Sequence, residues 1–154
     1  MSRVGVAIAL VTAGAASGIG CSHPGPALRQ PTVVLAPSDG SGETRVKVEL
    51  ARTASEQQRG MMFRDHFEPG WGMLFLFDHP EQMKFWMHNC YIPIDMVFIR
   101  SDRRVLGVVE RAQPMTDDSR YVDGDSQFVL ELPGGFAAAH HIGPGTAATF
   151  LDVE

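Results

Sequence analysis

The chain has 154 residues, 44% of them apolar and 20% charged, and a formal net charge of −5. That is enough for a leader and one domain of roughly 110 residues with a core of its own, so neither disulfides nor a structural metal is required. The acidic balance and the scatter of Lys and Arg argue against a nucleic-acid binder and against a polybasic membrane patch.

Residues 1–20 read as a signal peptide. Arg3 is followed by the uncharged stretch Val4 to Gly20, made of small and apolar residues and ending at Cys21. The pattern resembles a bacterial lipoprotein leader, which implies that Cys21 is lipidated and tethers the chain to a membrane. Gly18 stands where such leaders usually have Leu, and ordinary cleavage near Ala13 to Ser17 is the alternative. A stretch of 17 residues this rich in Gly is short for a membrane span. The expected address is the cell envelope or periplasm. If Cys21 is acylated, Cys90 has no partner within the chain in an oxidising compartment.

Residues 21–44 are rich in Pro, Gly and Ser and read as a tether, with Thr32-Val33-Val34-Leu35 as a short edge strand inside it. The domain is expected over 45–154. Val46 to Leu50 alternates apolar and charged residues, as a half-buried strand does. Thr53-Ala54-Ser55-Glu56 has the spacing of a capping box, and Gly60 ends the short helix that follows. Gly72 to Phe77 is a continuous apolar run, hence a buried strand. Ile94 to Ile99 and Val105 to Val109 read as a hairpin turning at Asp102-Arg103. After a loop from Gln113 to Ser126 come a strand at Phe128 to Leu132, a short helix at Phe136 to His141, and a strand at Thr146 to Val153. Short strands and frequent turns predict a mainly β domain, an antiparallel β-sandwich or barrel with two short helices.

From Val46 to about Phe150 the chain resembles the bacterial and archaeal family called domain of unknown function 192. The resemblance is carried by Glu56-Gln57-Gln58-Arg59-Gly60-Met61-Met62-Phe63-Arg64, Gly72-Met73-Leu74-Phe75 and Phe85-Trp86-Met87-His88-Asn89-Cys90. It continues through Ile92-Pro93-Ile94-Asp95, Val129-Leu130-Glu131-Leu132-Pro133-Gly134-Gly135-Phe136 and His141-Ile142-Gly143-Pro144-Gly145. The family implies a small, mainly β, sandwich-like fold, often exported, and no known reaction. His88 stands where the family commonly has Lys, and Thr146 where it usually has Asp.

The densest chemistry lies between Met83 and Asp95. If Gln82 to Cys90 is extended, Met83, Phe85 and Met87 share one face, and Lys84, Trp86, His88 and Cys90 the other. His88 and Cys90 would then lie about 7 Å apart and could share a soft metal, copper(I), if the strand bends. Packing explains the same sulfurs, because Met and Cys are common core fillers. Asp95 sits in an apolar strand and must find donors. It is either a structural clasp for the Tyr91-Ile92-Pro93 turn or, with Arg64, Trp86 and Asn89, a wall of a ligand pocket. Glu131 is expected to face outward on its strand, with a place in the same pocket as the alternative. The acidic loop with Asp117-Asp118 and Asp123-Gly124-Asp125 lacks the calcium spacing of an EF-hand and reads as solvated.

No catalytic motif is evident, and no catalytic residues are assigned. The sequence therefore supports an exported, lipid-anchored binding or accessory module for a small molecule or protein. A copper or thiol-redox protein using His88 and Cys90, and a hydrolase-like enzyme, are the alternatives.

Overall fold

The computed structural model describes residues 29–153. The leader, Cys21 and the tether as far as residue 28 lie outside the described residues. The elements are β1 (Thr32–Ala36), β2 (Thr44–Ala51), α1 (Ala54–Arg59), β3 (Trp71–Glu81), β4 (Ile94–Ile99), β5 (Val105–Ala112), β6 (Ser126–Pro133), α2 (Phe136–Ala139) and β7 (Ala147–Leu151).

The seven strands form one curled, half-barrel sheet in the order β5-β4-β6-β3-β2-β1-β7. The mainly β, barrel-like architecture expected from the sequence is what the chain adopts. One pair departs from the antiparallel rule: β2 and β3 run parallel, joined by a connection that contains α1. A parallel pair needs a long connection, and residues 52–70 supply it.

Two local expectations need correction. Thr32–Ala36 lies in the stretch read as tether and was expected at an edge, yet β1 is hydrogen-bonded to β2 on one side and β7 on the other. Val33 and Leu35 are fully buried, so this part of the chain belongs to the sheet. The edges are β5 and β7, and they meet at one end, where Val105 N–H donates to the Thr146 carbonyl (2.9 Å) and Ala148 N–H to the Arg103 carbonyl (2.8 Å). Such contact hides strand edges that would otherwise invite foreign pairing. The Arg103 guanidinium lies over that end, 4.0 Å from the Phe128 ring and 3.9 Å from the Phe150 ring.

The central strands are buried on both faces, and alternation separates two cores. One contains Leu74, Val97, Leu130 and Leu132 with β1, β2 and Ala137 of α2, and its buried apolar residues are Val, Leu, Ile, Phe and Ala, with no sulfur among them. The other contains Met61, Met73, Met83, Met87, Met96 and Cys90 with Phe75, Phe98 and Val129. The second core is therefore the sulfur-rich one, and it underlies the candidate site.

Candidate functional site

A cleft of about 430 Å³ opens over the sulfur-rich face, between α1 and the segment running from the end of β3 to Cys90. The capping box expected at α1 is present. Thr53 Oγ1 accepts from Glu56 N–H (3.3 Å), and Glu56 Oε2 accepts from Arg52 and Thr53 N–H (2.9 Å each). Gln57 Nε2 donates to the Leu76 carbonyl (2.7 Å), which docks the helix on β3 as one wall. The opposite wall is irregular chain, pinned by backbone bonds to two neighbours. Phe63 N–H donates to the Asn89 carbonyl (2.8 Å), Met87 N–H to Thr116 (2.9 Å) and Met115 N–H to Cys90 (3.1 Å).

Glu131 lies at the floor. Its strand neighbours across the sheet are Met73 on β3 and Met96 on β4, so on one face the carboxyl stands between two methionines. Gly72 permits the close approach of β3, since a Cβ there would come within 2.6 Å of the Glu131 carbonyl oxygen. Glu131 is 4% exposed, and Oε2 is buried with no hydrogen-bond partner among the described residues. Burial pushes its carboxyl up to about 8, against the opposing pull of the Arg64 charge. It is largely uncharged at neutral pH. This corrects the outward placement expected for Glu131.

Cys90 lines the same cleft and is 5% exposed. Burial first, then the nearby Glu131, pushes its thiol up to about 11. It is a thiol at neutral pH, which weakens a redox or nucleophilic role, since the thiolate is the reactive form.

The residues singled out in the sequence are not one constellation. The predicted alternation holds from Met83 to His88, with Met83 and Met87 buried and Lys84, Trp86 and His88 exposed. It breaks at Asn89, whose φ of 54° turns the chain and swings Cys90 inward to the methionine side. His88 stays outside, where Nδ1 lies 2.7 Å from Asp117 Oδ1 and its ring 5.4 Å from that of Trp86. His88 and Cys90 therefore do not face one ion. Asp117 pairs with His88 and Asp118 approaches Arg120 (3.8 Å), so two acids of the loop already have partners.

Asp95 faces the other core, opposite the cleft, beside its cross-strand partner Leu132. Oδ1 accepts from Arg111 N–H (2.7 Å), Oδ2 from Ala137 N–H (2.8 Å), and Gly135 N–H reaches both (2.9 Å). Gly135 takes φ 93° to present that N–H. Asp95 is thus a structural clasp, but one that ties β4 to β5 and to the start of α2 rather than to the Tyr91-Ile92-Pro93 turn. Arg64 is engaged by Glu49 through two bonds of 2.6 Å and lines a separate depression. Of the predicted pocket only Trp86, about half exposed, borders the cleft, at its mouth. Asn89 serves through its backbone. Among the described residues no three His, Cys, Asp or Glu side chains converge as metal ligands.

Residues 35–150 match the family model DUF192, described as an uncharacterized ACR family. No curated protein matches the chain. It is similar to a protein of unknown function from Novosphingobium aromaticivorans DSM 12444, at 37% identity and a TM-score of 0.74, covering 82% of this chain and 89% of that one. It is also similar to a protein from Sinorhizobium meliloti 1021 that carries a provisional name as a transcription regulator. There the identity is 31% and the TM-score 0.75, with 79% of this chain and 94% of that one covered.

Proposed function

The chain belongs to DUF192, an uncharacterized family, and we propose from its cleft that it is a binding or accessory module rather than a catalyst. The single observation that carries this reading is Glu131, a buried carboxyl with an unpartnered oxygen at the floor of an open cleft, where Met61, Met83 and Phe75 are joined by polar side chains such as Gln57, Arg59 and Lys84. An unsatisfied buried polar group costs about 1–3 kcal/mol, which is expensive for a position that any apolar side chain could fill. A ligand donor in the cleft recovers that cost, while Met61, Met83 and Phe75 take up an apolar body and Trp86 closes over it. Cys90 lies in the same cleft, but burial holds its thiol at about 11, so the nucleophilic thiolate is scarce at neutral pH, which favours binding over catalysis.

The module acts at the cell envelope, exported by its leader and anchored through Cys21. Support comes from the sequence of residues 1–21 alone. Among the described residues, no helix is long and apolar enough to cross a membrane. The regulator name of the Sinorhizobium relative fits this chain poorly, because a net charge of −5 opposes binding to phosphates.

The test of the cleft is an amide-resonance titration with hexanamide, hexylamine and hexanoate. At least one is expected to shift the Trp86 indole and Gly60 amide signals in the wild type and to do so far more weakly in Glu131→Met. Binding elsewhere, or equal binding in the variant, refutes the reading. For the address, Cys21→Ser is expected to move the protein from the membrane to the soluble envelope fraction, and an unchanged distribution counts against the anchor.

A further inference from the structure

The geometry points to a soft monovalent metal ion as the ligand of this cleft: copper(I), held by Cys90, Met61 and Met83 above Glu131. The inference rests on the reading of this cleft as a binding site, with the ion taking the place of a hydrogen-bonding ligand. Its first support is the segregation of sulfur. Met61, Met73, Met83, Met87, Met96 and Cys90 are all buried in one core, while the other core, of similar size, buries none. Methionine as mere filler would be divided between the two faces, since both are packed from the same strands. A second support is Glu131, 4% exposed, whose unpartnered oxygen lies in the cleft that Met61, Met83 and Cys90 line and has a lone pair free to approach the ion.

The donor types select the ion. Zinc asks for three or four ligands from Cys, His, Asp and Glu, and among the described residues no three of these converge. One thiol and several thioethers suit copper(I), a soft ion that tolerates thioether ligands and low coordination. Binding breaks the Cys90 S–H bond, forms an S–Cu bond and releases the proton to solvent, with no change of oxidation state. The copper-thiolate unit is neutral overall, as the thiol was, so the apolar surroundings do not oppose the exchange. The ligand set also differs from a His88–Cys90 pair, because His88 is turned out to Asp117.

The test is an anaerobic titration of the protein with copper(I) against a chromophoric chelator, repeated with silver(I) as a redox-inert probe. One equivalent is expected to bind. Cys90→Ser is expected to weaken binding about a hundredfold and Met61→Leu with Met83→Leu about tenfold, in line with the effects of disturbing metal-site shells. His88→Ala is expected to change nothing. The leucine pair conserves volume and keeps the test open should Cys90→Ser fail to fold. Wild-type binding no stronger than in the leucine pair, or an equal loss in His88→Ala, overturns the proposal. If hexanamide or its analogues occupy the cleft while copper does not, the metal assignment alone falls. If neither binds there, the cleft reading falls with it.

Discussion

A carboxyl group taken out of water needs donors or a proton, and the two buried acids of this sheet take one each. Asp95 collects three backbone N–H groups. Asp95→Ala orphans them and is expected to cost about 3 kcal/mol in urea unfolding with an unchanged m-value, since each orphaned buried donor costs about 1–3. Glu131 keeps its proton instead. Its carboxyl is raised from the ordinary 4.5 to about 8, so the folded state binds the proton more tightly than the unfolded one. The stabilisation is fully present below about 4.5 and is lost as pH rises through about 8. Stability should therefore fall across that window, and Glu131→Gln should flatten the slope. A slope unchanged in Glu131→Gln would place the titration elsewhere. The need of Asp95 for donors was legible from its apolar strand. Which groups answer was not, because positions 111, 135 and 137 meet Asp95 only through folding. The outward placement of Glu131 came from giving Phe128 to Leu132 a wet face, although the consecutive apolar residues Phe128-Val129-Leu130 signal burial on both faces.

The elements show the same division between local and long-range information. The box at Thr53 and Glu56 is local chemistry, legible at four consecutive residues and present as expected. Because α1 is a wall of the cleft, Thr53→Ala should cost about 1 kcal/mol and weaken ligand binding together with stability. A loss of stability with unaltered binding would detach the helix from the site. The segment from Met83 to Cys90 was legible only as far as its period held. A single residue with positive φ, Asn89, reverses the side on which Cys90 falls, and period-two reasoning carries no warning of it. Asn tolerates this conformation better than most residues, and its presence was the one local hint. The turn at Gly143 is simpler: Thr146 Oγ1 accepts from Gly143 N–H at 3.1 Å, so a hydroxyl holds the turn.

At the scale of the molecule, strand content and a single-domain, barrel-like form followed from the spacing of turns, whereas strand order did not. Nothing local distinguishes a tether with four apolar residues from β1, whose place depends on β2 and β7 offering two free edges. The parallel β2–β3 pair was likewise hidden, since it rests on how residues 52–70 cross the sheet. What the assembled sheet creates is a cleft whose floor carries a carboxyl that packing does not need. Equilibrium urea unfolding of wild type and Glu131→Met near neutral pH tests that claim most directly. Methionine nearly matches Glu in size and extends the Met73–Met96 row, so the variant should be more stable by about 1–3 kcal/mol, the cost of the unsatisfied group removed. A variant less stable than wild type would show that Glu131 is a structural group with partners of its own, and would contradict the assignment of the cleft as a binding site.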